Sequence, residues 1–162
     1  MDSMNEQFER ANGDAFIVWL NAKLGTKYSF SHRPDQAPDL AYSYAGDELL
    51  VEVTAAYYDA SHAAFLWQSK DSWLGENPDK SLSQEVADRI EKKSQKTYGS
   101  CCILLVVVPP GVTPVETLTE LLAQQVILDN MPFVGVYAAG RFPITESSEG
   151  GYRVIPIKEL AN

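Results

Sequence analysis

The sequence predicts an α/β protein in three layers, α/β/α, with helices on both faces of a mixed central sheet. Three observations carry that prediction. Stretches with helical periodicity alternate with β-rich stretches along the chain. Cys-Cys-Ile-Leu-Leu-Val-Val-Val at 101–108 is a near-continuous apolar run, as expected of a strand covered on both sides. Leu40 to Thr54 folds back around Ala45-Gly46-Asp47 and reads as a β-hairpin.

With 162 residues, 45% of them hydrophobic and 22% charged, the chain is expected to form one domain, 1–162, with a substantial core. No apolar run is long enough to span a bilayer, and Met-Asp-Ser-Met-Asn-Glu lacks the basic and apolar pattern of a signal peptide. A cytoplasmic protein without a membrane partner is the expectation. Cys101 and Cys102 are adjacent and point to opposite faces of a strand, which favours buried thiols over a disulfide. The net charge of −9, from 13 basic and 22 acidic residues, leaves few cations for gripping phosphates. A nucleic-acid role therefore requires those cations to cluster at the site.

Taken in order, Ser3 to Leu24 reads as an amphipathic helix with a stripe of Met4, Phe8, Ala11, Ala15, Val18 and Ala22. Ser3-Met4-Asn5-Glu6 fits a capping box, and Gly25 is a natural C-cap. Glu9 lies in line with Phe16 and Leu20, so its side of the helix also has reason to turn inward. Lys27 to Phe30 is a short strand, followed by a polar loop in which His32 and Arg33 could touch a phosphate. Leu40 to Tyr44 and Leu49 to Thr54 form the hairpin. Between Ala55 and Asp79 lie Tyr57, Tyr58, Phe65, Trp67 and Trp73, suited either to stacking on bases or to packing on the sheet. With only His32 and His62, a histidine-based zinc centre is not expected.

Ser81 to Tyr98 is the second long helix, opened by a Ser81-Leu82-Ser83-Gln84 capping box. Its apolar stripe of Leu82, Val86 and Ile90 continues onto Lys93, while Lys92 and Lys96 point away. A lysine on a buried stripe needs an anion, or must snorkel to water. Cys101 to Val108 is the covered strand, and Pro109-Pro110-Gly111 ends it. Thr113-Pro114-Val115-Glu116 opens a third helix reaching about Asp129. Phe133 to Ala139 is a strand, Gly140 to Gly151 a polar loop, and Tyr152 to Ile157 a last strand. Buried strands that follow helices imply parallel crossovers.

The chemistry centres on the hairpin. Asp39 stands where its first strand begins, and Glu52 is set among Leu50, Val51 and Val53. The fold-back could aim both carboxylates at one point, the minimum site for Mg²⁺. Equally, Asp39 could cap a turn after Pro38 and Glu52 could face solvent on an edge strand.

Pro38-Asp39, a β-turn and Glu52-Val53-Thr54 together resemble the PD-(D/E)xK nuclease superfamily. The resemblance spans roughly Ser3 to Val108. It implies a restriction-endonuclease-like core: a helix, a three-stranded meander, a second helix and a further strand. It also implies Mg²⁺ or Mn²⁺ on Asp39 and Glu52, with a further acid from the first helix, Glu9, or Asp14 in reserve. The family's strand lysine is replaced here by Thr54, and Lys93 from the second helix would take over its role. The expected activity is then metal-dependent phosphodiester hydrolysis on nucleic acid, DNA ahead of RNA, with a homodimer compatible. The alternative is a nuclease-shaped fold that no longer cuts. It would bind a protein through its acidic surface and the 57–73 aromatics, as immunity or anti-defence factors do.

Overall fold

In the computed structural model, residues 4–56, 78–95, 102–108, 114–125, 132–142 and 151–160 are described. Among them the chain runs α1 (Met4–Leu24), β1 (Ser29–His32), β2 (Leu40–Tyr44), β3 (Asp47–Ala55), α2 (Pro78–Ser94), β4 (Cys102–Val107), α3 (Val115–Gln125), β5 (Gly135–Phe142) and β6 (Gly151–Lys158). All six strands belong to one sheet, ordered as in the sequence. The β1–β2, β2–β3 and β5–β6 pairs are antiparallel, whereas β3–β4 and β4–β5 are parallel. Parallel neighbours need a crossover, and α2 and α3 lie in those two connections.

Strand side chains alternate between faces, and each face has its own core. Cys102, Leu104 and Val106 of β4 join Leu82, Val86 and Ile90 of α2 and Leu118 and Leu122 of α3. Ile103, Leu105 and Val107 face the other way, into Phe16, Ile17 and Leu20 of α1 with Leu40, Tyr42, Val51 and Val53. Every residue of β4 is buried, as its continuous apolar run predicts. The result is α/β/α, three layers over a mixed sheet. No helix among the described residues is long and apolar enough to cross a membrane.

The face that α1 buries differs from the expected stripe. Phe8 is 39% exposed and Val18 71% exposed, while Glu9, Phe16, Ile17 and Leu20 are buried. Three of the six stripe residues are alanines, which have little area to bury, so the larger Phe16, Ile17 and Leu20 decide the orientation. Gly13 is on that buried face. A Cβ there would run into Leu40 Cδ1 and stand 2.6 Å from Tyr42 Oη, so glycine permits close docking on β2. Arg10 and Asp14 flank the contact: the Tyr42 hydroxyl donates to Asp14 Oδ1 at 2.8 Å, and the Arg10 guanidinium lies 3.5 Å from the Phe30 ring centre. Gly25, at φ 70°, ends the helix with its N–H on the Asn21 carbonyl at 2.9 Å, the predicted cap.

Other boundaries move as well. The hairpin turn has two central residues, Ala45 and Gly46, with φ of 53° and 86°, and Asp47 already belongs to β3. The first strand is Ser29–His32 rather than 27–30. The second helix begins at Pro78, whose fixed φ and missing N–H suit a first helical position, so Ser81 lies inside the helix instead of capping it. Gly140 is in β5 and Gly151 in β6, which shortens the loop expected between them. Ser3, Cys101, Lys96, Thr113, Asp129 and the aromatic segment 57–73 with His62 lie outside the described residues.

Candidate active site

The site forms where β2 begins, beside the middle of β3. Leu40 pairs with Val51 and Ala41 with Leu50, so continuing the register by one residue sets Asp39 opposite Glu52. Opposed residues of an antiparallel pair share a face. The alternation of β3 turns Glu52 toward the α2 layer, along with Leu50 and Thr54. β3 is internal to the sheet and Glu52 is 4% exposed, so the solvent-facing alternative does not apply.

A buried carboxylate needs a partner, and α2 supplies one. Lys93 Nζ donates to Glu52 Oε2 at 2.9 Å. Lys93 reaches it because it continues the Leu82, Val86 and Ile90 stripe at the last turn of the helix, while Lys92 is exposed. The other oxygen, Glu52 Oε1, is buried and receives no donor.

Asp39 is held from the strand side. The ladder between β2 and β3 stops at Leu40, and the Val53 N–H just beyond it donates to Asp39 Oδ2 at 2.9 Å. The carboxylate thus takes the place of a ladder carbonyl. Burial pushes the Asp39 carboxyl well above the usual carboxylate range, to about 7; the Val53 N–H opposes this, while Glu52 and Glu9 reinforce it. Burial also pushes the thiol of Cys102 up to about 12, with Glu52 adding to the effect. Cys102 sits beside Leu50 on β4 and is a neighbour that the sequence did not flag.

Glu9 approaches from α1. It is buried, and its charge is felt at Asp39, but Arg33 Nη1 donates to its Oε1 at 2.7 Å. Asp14 is engaged elsewhere, by Arg10 and the Tyr42 hydroxyl. Arg33 itself turns inward onto α1 instead of presenting its donors to solvent, and sequence reasoning missed this. The available signal was Glu9: an acid on a buried helix face demands a cation. His32 remains exposed, with Nδ1 in hydrogen-bond contact with Ser31 Oγ at 2.9 Å.

No known protein family, curated protein or solved structure matches the chain. The site must be judged on its own geometry.

On that geometry, two adjacent carboxylates, one with a buried oxygen lacking a donor, suit a hard divalent cation. Among the described residues no three His, Cys, Asp or Glu side chains form a metal cluster. The chain would therefore offer two carboxylates, a pattern that fits Mg²⁺, which keeps water or phosphate in its other positions.

Proposed function

We propose that this protein is a divalent-metal-dependent phosphodiesterase of the PD-(D/E)xK type, acting on nucleic acid, with DNA the first substrate to test. The contact of Lys93 with Glu52 at 2.9 Å, beside Asp39, carries the reading: an ammonium from α2, a carboxylate from β3 and one from the residue just before β2 come together. The order of helix, three antiparallel strands, helix and parallel strand supports it as well.

Asp39 and Glu52 would hold Mg²⁺ or Mn²⁺. When bound, the cation would polarise the scissile phosphate and make an attacking water more acidic. Asp39 keeps Oδ2 on the Val53 N–H, which leaves Oδ1 for the cation and fixes the direction in which it is offered. Lys93 rests on Glu52 Oε2, poised to swing onto a phosphate oxygen and stabilise the charge that develops there. Thr54 stands where the strand lysine of that superfamily would be, so the cation contributed by the protein comes from α2 instead. Glu9 adds negative potential; for it to ligate directly, Arg33 would have to release Oε1.

Incubating the protein with plasmid and with single-stranded DNA, in Mg²⁺ or Mn²⁺, tests this. Cleavage should be abolished in Asp39→Ala and in Glu52→Ala; cleavage that survives both substitutions overturns the assignment.

The second reading, a non-cutting fold that binds another protein, draws on the net charge of −9, on Thr54 in the lysine position and on the Arg33 hold on Glu9. Calorimetry and thermal melting with Mn²⁺ separate the two. Neither heat nor a thermal shift favours the binding module.

A further inference from the structure

The segment that delivers Asp39 has no strand pairing of its own. β1 ends at His32 and β2 begins at Leu40, so the backbone from Arg33 to Asp39 must be tethered by other means. Arg33 supplies the tether. Its Nη1 donates to Glu9 Oε1 at 2.7 Å and makes a longer contact, 3.4 Å, with the carbonyl oxygen of Asp39. Its Nη2 donates to the Glu6 carbonyl at 2.9 Å, and its Nε lies 3.7 Å from Glu6 Oε2. One planar group therefore spans the first turns of α1 and the residue that precedes β2.

We propose that Arg33 is a positioning residue, which ties the Asp39 backbone to α1 and so keeps the Asp39 carboxylate on the Val53 N–H and beside Glu52. The consequence for metal binding rests on the phosphodiesterase reading; the placement of Asp39 does not. Guanidinium chemistry is what the task requires. Its donors leave one rigid plane in fixed directions and meet acceptors on two elements at once, whereas the ammonium of a lysine is a point charge on a flexible stem. The inward direction of these donors also separates Arg33 from a phosphate contact: they are spent on the protein itself.

The test compares wild type with Arg33→Met, Arg33→Lys and the double variant Arg33→Met/Glu9→Gln, the last removing the charge that Arg33 would leave unpaired. The first readout needs no metal: amide hydrogen exchange at Val53, set against Val51 and Ile103. Exchange at Val53 should quicken about ten-fold or more in all three variants, as its bond to Asp39 Oδ2 loosens, with Val51 and Ile103 unchanged. The second readout is Mn²⁺ affinity by calorimetry, expected to fall about ten- to a hundred-fold, as for outer-shell residues that orient a ligand. Wild-type exchange at Val53 in Arg33→Lys or in the double variant overturns the proposal, because charge alone would then account for Arg33. Unaltered Mn²⁺ affinity in a variant whose Val53 has loosened overturns it too. If wild type takes up no Mn²⁺, the phosphodiesterase reading fails, and Val53 exchange alone decides for or against Arg33.

Discussion

Glu52 carries its charge in an expensive place, with one oxygen satisfied by Lys93 and the other by nothing. Removing a single member of a buried ion pair strands the other, at a typical cost of about 3–5 kcal/mol. Lys93→Met should destabilise the protein by roughly the lower part of that range, since the Lys93 side chain is still 20% exposed. Adding Glu52→Gln should recover much of the loss, and chemical denaturation of the two variants measures both effects. Asp39 makes a prediction of its own. Its carboxyl sits at about 7 in the folded protein against an ordinary 3.8, so between those values the folded state holds a proton that the unfolded chain has lost. The stability that Asp39 contributes is complete below the lower value and is lost as pH rises through the upper one. Denaturation of the metal-free protein across that window should show a falling limb that Asp39→Asn flattens. Glu52 and Lys93 were legible in the sequence because each interrupts an otherwise apolar pattern, and Asp39 because it stands where the first hairpin strand begins. For Arg33 the signal was incomplete: Glu9 on a buried helix face calls for a cation, but its partner lies 24 positions away, across a turn and an edge strand, and no local pattern says which cation answers.

At the level of elements, α1 shows where periodicity misleads. Its alanine-rich stripe has the right spacing but too little area, so the bulkier face wins and carries Glu9 inward with it. Gly13 marks the closest approach of helix to sheet. Helix propensity alone favours Gly13→Ala by about 1 kcal/mol. The new methyl would meet Leu40 and Tyr42 Oη, and overpacking of this kind typically costs about 1–3 kcal/mol. The clash should prevail, because the Tyr42 hydroxyl is fixed by Asp14, and thermal denaturation should find Gly13→Ala less stable than wild type. The start of α2 lies three residues before the expected Ser81. Ser81 and Gln84 satisfy a capping pattern, but Pro78 is already suited to the first turn.

For the molecule as a whole, the layered fold was readable because one feature implied the rest. A strand apolar at every position needs cover on both faces, which places helices on either side of the sheet. The strand limits were less legible, since pairing with a neighbour, rather than residue type, decides where a strand stops. The hairpin also has two distinct ends. Asp39 and Glu52 stand at one, and at the other Ala45 occupies a left-handed conformation, φ 53°, that asparagine adopts more readily than alanine. Ala45→Asn should therefore stabilise the protein by about 0.5–1 kcal/mol, read as a higher denaturation midpoint with no change at the acids. Because ruggedness can be raised at the tip of the ribbon without disturbing its root, a sturdier host is within reach. In that host part of what a substitution at the acidic end costs would already be offset.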